Sequence, residues 1–456
     1  MSLEKLLFLR MSLFTTVQKE RSFRHYMPYE KFITDMLNVD PAKIQDISTA
    51  SSKDGEIIVS IRLRDTKCSC PVCHSQMKVH GYSPRTITHS TLVDRKCTIA
   101  FRQRRYRCAE CGLTVSEDNP FSKRNEGLSH ETKRNILAAL KEPSSTYSGV
   151  AKRFSVSATT VQRLFDRCVD IKRKRLPEVL SLDEHYFPES SFDSLYMCVL
   201  MDFDNGEITD VLPDRRKDML IRYFSNIKNE TLSNDGKTSE LSLVKYISID
   251  LYENYRDIAH AYFPKALVCA DSFHVIENLN KCFNDVRLRC RRNADENMTY
   301  WLTKLRYLFN TDIYLDNRPK YNTTLGRYMN RRGMRDYMLD AYPDLKEAYE
   351  LKESYISFNR SATAKNAKEE LLKQVEAFGN SSVKEMKTFY NLLLNWFDEI
   401  INSFTLHNGK RINNSYIESR NRTIESILYN ANGCTNFKRT RNRIIYCINK
   451  NEAFHF

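Results

Sequence analysis

From Glu56 to Arg64 the chain reads EIIVSIRLR, with apolar and polar positions alternating around Ile57 to Leu63. That period of two predicts a strand with one face on a core. From Ser129 to about Arg175 apolar residues recur at helical spacing among basic ones, and the pattern closes at KRKRLPEV, where Pro177 marks a boundary. Strand-like runs then follow closely: VLSLD from Val179, LYMCVLMDFD from Leu195, and EITDVL after the Asn205-Gly206 turn signal. DMLIRYFSNI predicts a helix, and two short apolar runs come after it, YISI ended by Asp250 and LVCA ended by Asp271. Beyond Ile276 the strand signal fades. Segments such as KEELLKQVEAF and VKEMKTFYNLLLNWFDEIINSF read as helices, with Trp301 and Trp396 on apolar, core-facing sides. Three strands, a helix and further strands predict an α/β layer fold.

At 456 residues, 41% hydrophobic, the chain can build two or three domains with real cores, which excludes disorder over most of its length. Its 71 Lys and Arg against 57 Asp and Glu leave a formal charge of +14. Such an excess favours a polyanionic partner, nucleic acid first, the alternative being a protein that is merely basic. No stretch reaches the ~20 uninterrupted apolar residues that span a bilayer. The apolar start, LEKLLFLRMSLFTTV, is broken by Lys5 and Arg10 and lacks a small-residue cleavage site, so it reads as an amphipathic helix of a cytoplasmic protein.

Thirteen cysteines, an odd number, argue for metal ligation rather than a disulfide framework. Cys70-Pro-Val-Cys73 and Cys108-Ala-Glu-Cys111 are two knuckles separated by 34 residues. Each presents two thiolates together, and four soft ligands suit tetrahedral zinc in a closed, structural ribbon. Cys68 and His74 flank the first knuckle as rival ligands. Between the knuckles, CTIAFRQRRYRC interleaves Arg102, Arg104, Arg105 and Arg107 with aromatic residues. Such a strand lays cations along phosphates, or else presents a solvated basic face. Further on, TYSGVAKRFSVSATTVQRLFDRC has the apolar spacing of a helix-turn-helix, with Ser157 as N-cap of the second helix. Thr159, Thr160, Gln162 and Arg163 would then face base edges or phosphates. A plain helical hairpin is the competing reading.

Asp183 closes VLSLD, Asp250 closes VKYISID, and Glu418 lies in the helix-like INNSYIESRN. Singly, an aspartate at a strand end is most often a turn or cap residue. Together, an acid on the opening strand, one after the following strands and a glutamate from a late helix are the hard oxygen ligands that two-metal phosphoryl transfer requires. The pattern alone leaves open whether Asp250 or Asp271 is the second acid. Glu184 points away from Asp183 if the strand continues, which suits a salt bridge or a supporting role. Lys281, Arg287, Arg289, Arg291 and Arg292 form a later basic cluster, either a DNA contact or a solvated helix face.

The segments LDE at Leu182–Glu184, IDLYENY at Ile249–Tyr255 and FPKALVCADSFHVI at Phe263–Ile276 resemble the DDE transposases of the bacterial ISL-three insertion-sequence family. The resemblance extends to the knuckles, the helix-turn-helix and the tail NGCTNFKRTRNRII, and covers most of the chain from about residue 57. It implies a multidomain α/β chain: a zinc ribbon and helix-turn-helix, then an RNase H-like mixed sheet interrupted by an all-helical insertion. The corresponding boundaries are 1–66 for the lead-in, 67–125 for the ribbon and 126–176 for the helix-turn-helix. The first part of the core follows at 177–278, the insertion at 279–408, and the rest of the core at 409–456. The resemblance makes Asp183, Asp250 and Glu418 the catalytic ligands of two Mg2+ (or Mn2+) ions, with Asp271 and His274 supporting them and structural Zn2+ on Cys70, Cys73, Cys108 and Cys111. Asn421 matches the family's pattern after the third acid, whereas Ser419 replaces a glycine and Glu425 stands at a lysine position, two helical turns from Glu418 on the same face. Glu425 is therefore the rival third acid. The implied partners are double-stranded DNA, as terminal inverted repeats and target, and a second copy of the chain. The implied setting is cytoplasmic and nucleoid-associated. The alternative function is a DNA-binding regulator on a catalytically inactive transposase body.

Overall fold

The computed structural model describes residues 28–89, 95–188, 194–229, 239–310, 318–323, 326–431 and 435–455. The apolar N-terminal stretch Leu3–Val17 lies outside them. The chain forms two compact units, residues 1–140 with 147–164, and residues 141–146 with 165–456.

The first unit opens with helix α1 (Pro28–Leu37) and builds one five-stranded sheet. Its strands are β1 (Ile44–Ser51), β2 (Ile57–Leu63), β3 (Lys78–His89), β4 (Cys97–Arg107) and β5 (Thr114–Ser116), in the order β1-β2-β4-β3 with β5 also on β4. The lead-in strands thus share a sheet with the strands that carry the cysteine knuckles. Long β4 serves two cores in succession. Cys97, Ile99 and Phe101 pack with Ile47, Val59, Ile61 and Ile87, while Tyr106, on the opposite parity, joins Cys70, Met77 and Cys108. Helix α2 (His130–Ala139) is N-capped by Ser129, which accepts a hydrogen bond from the Thr132 amide at 3.0 Å. Helices α3 (Tyr147–Arg153) and α4 (Ala158–Cys168) form the helix-turn-helix. Ser155 turns the chain at φ 54, and Ser157 caps α4 by accepting from the Thr160 amide at 3.1 Å. Val150, Ala151, Phe154, Val161 and Leu164 are buried, as the apolar spacing requires.

The second unit is an RNase H-like mixed sheet in the order β10-β9-β6-β7-β8. The strands are β6 (Val179–Tyr186), β7 (Tyr196–Asp202), β8 (Ile208–Leu212), β9 (Tyr246–Ile249) and β10 (Leu267–Ala270). β6, β9 and β10 run parallel, and β7 and β8 are antiparallel meander strands. Parallel strands need covered crossovers; α5 (Lys217–Asn229) lies between β8 and β9 along the chain, and α6 (Glu253–Tyr262) between β9 and β10. Near-continuous burial of Val179–Asp183 and Met197–Met201 fits strands covered on both faces.

Helix α7 (Ser272–Arg292) leads into the insertion of α8 (Glu296–Lys304), α9 (Arg331–Asp340), α10 (Pro343–Ser361), α11 (Ala367–Asn380), α12 (Lys384–Asn395) and α13 (Phe397–Asn402). The insertion is not wholly helical as expected, because an antiparallel hairpin of β11 (Lys320–Asn322) and β12 (Arg327–Met329) interrupts it. Three-residue strands carry too little periodicity to be read from sequence. The run read as one helix from Val383 breaks at Trp396, whose buried ring lies 4.3 Å beneath the Arg256 guanidinium. Trp301 is buried as well. The chain returns through the short ribbon β13 (Leu406–His407) and β14 (Lys410–Arg411) to α14 (Ser415–Ala431) and α15 (Phe437–Ile448). Among the described residues no helix is long and apolar enough to cross a membrane.

Candidate active site and cysteine knuckles

Register decides what meets at the sheet edge. Ser181 pairs with Ser248 and Ala270 with Ile249, so continuing each ladder sets Asp183, Asp250 and Asp271 side by side at the carboxyl ends of β6, β9 and β10. Neighbouring strands lie ~4.8 Å apart, which makes this row a concentrated line of carboxylates. All three are buried. Helix α14 adds Glu418 from its first turn.

The side chains gather in two groups. Oxygens of Asp183, Glu184 and Asp250 lie within 4.8 Å of one another, and ligand atoms of Asp271, His274 and Glu418 meet the same limit. Asp183 accepts from the Glu184 amide at 2.8 Å and from Asn421 Nδ2 at 2.8 Å. Asp271 is the N-cap of α7, accepting from the Phe273 amide at 3.4 Å and from the Asn414 amide at 3.3 Å. His274 Nδ1 lies 3.3 Å from Glu277. Glu425 stays out of both groups and is exposed.

Strand alternation along β6 predicts Glu184 on the far face, yet its carboxylate turns into the first group and is held by Arg215. The reason is that β9 stops pairing with β6 at Ser181, whereas β6 continues on β7, leaving the β9 side of Glu184 open. Arg215 in turn lies 4.2 Å over the Tyr196 ring and 4.6 Å over that of Tyr252. Nothing local to Arg215 in the sequence announces this role.

Burial pushes the Asp183 carboxyl up to about 7. Burial, then the charges of Glu184 and Asp183, push Asp250 up to about 9. Asp271 and Glu418 are also raised, chiefly by burial. Buried acids crowded in this way oppose one another's ionisation, and Arg215 beside Glu184 offsets only part of that effect. Asp250 Oδ1, Asp271 Oδ2, Glu184 Oε2 and Glu418 Oε1 are buried without hydrogen-bond partners. Hard, orphaned oxygens of this kind suit Mg2+ or Mn2+.

At the other site, Cys70 Sγ lies 3.5 Å from Cys111 Sγ, and Cys73 Sγ 3.4 Å from Cys108 Sγ. Four thiolates at about 2.3 Å around tetrahedral zinc would stand ~3.8 Å apart, close to this packing. The knuckles share one backbone design: the Cys70 amide donates to Ser75 and the Cys108 amide to Leu113. The residue after each second cysteine is left-handed, His74 at φ 58 and Gly112 at φ 72. His74 thus serves the turn, and Cys68, against Met77, stays outside the four-sulfur group.

The basic candidates divide. Arg102 and Arg105 are exposed on β4. Arg104 is not available to DNA: it is buried, bound to Glu117, Asp65 and the carbonyls of Leu63 and Arg64. Strand alternation misled here because β4 changes cores beside it. Thr159 and Arg163 are exposed on α4, with Thr160 and Gln162 half-buried. Arg289 bridges Glu385 and Asp344 at 2.8 Å each, with its side chain still 41% exposed. Arg287 is buried against the Leu302 carbonyl. Arg291 and Arg292 remain in the last turn of α7, where cations also favour a helix C-terminus.

An RNase H-like sheet with an acidic, metal-competent edge, joined to cysteine knuckles and a helix-turn-helix, defines a DNA-handling protein. The family models place it more closely. The transposase model of the ISL3 (ISL-three) family matches residues 180–444, and a model described as the zinc-finger of transposase IS204/IS1001/IS1096/IS1165 matches residues 66–111. The first spans more than half of the chain, which therefore belongs to the ISL3 transposase family. Its four-cysteine group is that family's zinc ribbon, and its class is that of insertion-sequence transposases, which bind DNA. Among curated proteins none matches the chain.

Proposed function

We propose that this chain is an active DNA transposase that binds the terminal inverted repeats of its element, cuts strands there and transfers them to target DNA. The observation that carries this reading is the row Asp183-Asp250-Asp271, joined by Glu418 and lined by buried oxygens without partners. Asp183, Asp250 and Glu418 would hold two Mg2+ or Mn2+ ions, with Asp271 and His274 supporting Glu418. Such ions, when bound, stabilise charge on the attacking and leaving oxygens of an in-line displacement. Asn421 fixes one Asp183 oxygen and leaves the carboxylate oriented. Arg215 holds Glu184 beside Asp250. The chemistry asks for no serine, tyrosine or cysteine nucleophile, because water and then a DNA 3′-hydroxyl attack phosphorus.

The ribbon, with exposed Arg102 and Arg105, and the helix α4, with Thr159, Thr160, Gln162 and Arg163, would read and position the repeats. Both element ends must be handled together, so the working form is at least a dimer on DNA. The setting is the bacterial cytoplasm, at the nucleoid.

The test is divalent-dependent cleavage of donor DNA carrying the element's ends, comparing wild type with Asp250→Asn and Asp271→Asn while DNA binding is followed separately. Loss of cleavage with Asp250→Asn alone is expected. If Asp271 alone is essential, the assignment of the second acid moves by one strand. Wild type that binds ends and never cuts would establish the regulator reading instead.

A further inference from the structure

Between Asn317 and Arg335 the chain carries six cations, Arg318, Lys320, Arg327, Arg331, Arg332 and Arg335, and no acid. This stretch contains the hairpin β11–β12, in which Tyr321 and Tyr328 face each other across the ladder. Their rings meet edge to face at 5.3 Å, yet both stand in solvent, 56% and 71% exposed. Two large aromatic rings exposed on a ribbon of three-residue strands contribute little to a core, and an isolated ribbon of this size is marginal. Of these cations Arg335 is paired with Asp336, and the next acid, Asp340, is paired with Lys346 outside the stretch.

We propose that this hairpin is a second DNA-binding surface, one that stacks an unpaired base on Tyr321 or Tyr328 while Arg318, Lys320 and Arg327 hold the adjoining phosphates. The chemistry is that of a stacking platform: an aromatic face accepts any base, and flanking cations follow the backbone. A protein partner would need complementary acids around two tyrosines, whereas an opened DNA strand supplies both the rings and the charge. The proposal rests on the transposase reading. It adds that the insertion meets DNA where the duplex is opened.

The experiment uses the full-length, zinc-loaded protein and a short duplex with a central unpaired stretch containing a fluorescent purine analogue, alongside the intact duplex. Wild type should prefer the opened duplex and quench the analogue. Tyr321→Ala with Tyr328→Ala should weaken opened-duplex binding about 5- to 100-fold and abolish the quench, leaving intact-duplex binding unchanged. Tyr321→Phe with Tyr328→Phe should retain both. If the alanine variant binds and quenches like wild type, the platform is refuted while the transposase reading stands. If wild type binds neither DNA, both readings fall.

Discussion

Arg104→Ala tests how a strand with four arginines divides its labour. Arg104 Nε donates to Glu117 Oε1 at 3.0 Å and Nη2 lies 2.7 Å from the same oxygen, while Nη2 also donates to the Leu63 carbonyl at 2.8 Å. Both side chains of the pair are nearly inaccessible, at 5% and 7%. Truncating Arg104 leaves a buried carboxylate without its counter-ion, a loss of about 3–5 kcal/mol. The ion pair to Asp65 adds little, because that carboxylate is 84% exposed. For a unit of this size such a loss lowers Tm by roughly 10 °C. Arg105→Ala, by contrast, should leave Tm within ~2 °C and reduce the salt dependence of DNA binding by about one phosphate contact. Thermal unfolding of the zinc-loaded protein, with binding measured across salt concentrations, separates the two. Equal melting of both variants would refute the argument that β4 switches cores beside Arg104.

Cys70→Ser or Cys108→Ser should each release zinc and weaken binding to the element's ends; unchanged zinc content in both variants would remove the ribbon assignment. His89 is buried with Nδ1 3.0 Å from Ser129 Oγ, and burial lowers its pKa below the ordinary histidine value. The folded state therefore holds it neutral, so its contribution is full above the unfolded pKa of about 6.5 and is lost as pH falls through that value toward the folded one. Denaturation profiles from neutral to acid pH should show this loss in wild type and its absence in His89→Gln. Arg215→Ala frees Glu184 and should raise the divalent concentration needed for half-maximal cleavage by about 10- to 100-fold, as loss of an outer partner does, with DNA affinity unchanged. A metal titration with an unmoved midpoint would exclude Glu184 and Arg215 from the site.

What could be read in advance follows from the range of the interactions. The knuckles were legible because C-x-x-C states its chemistry within four residues, and the helix-turn-helix because Val150, Phe154, Val161 and Leu164 repeat at helical spacing. The internal role of Arg104 is not legible, because its partners Glu117 and Asp65 lie 13 and 39 residues away in sequence. Composition marks a cation; only tertiary structure shows whether a carboxylate has already taken it. The break at Trp396 was equally invisible, since apolar periodicity continues across it.

The acids show the same limit more finely. Two apolar runs ending in aspartate predict two strand ends, but their placement beside Asp183 depends on strand order and register, which put β9 between β6 and β10. Position in the row does not by itself choose between Asp250 and Asp271. Their hydrogen bonds differ, however. Asp271 Oδ1 already accepts from the Phe273 and Asn414 amides, so it caps α7 and ties down the approach to α14. Asp250 Oδ1 is buried with no partner at all. An asparagine at 271 keeps the capping oxygen and should be tolerated, with Asp271→Ala costing stability of about 1 kcal/mol through the lost cap. An asparagine at 250 keeps the shape but removes the charge from an aspartate that, unlike Asp271, caps no helix, and it is there that cleavage should fail while the fold survives.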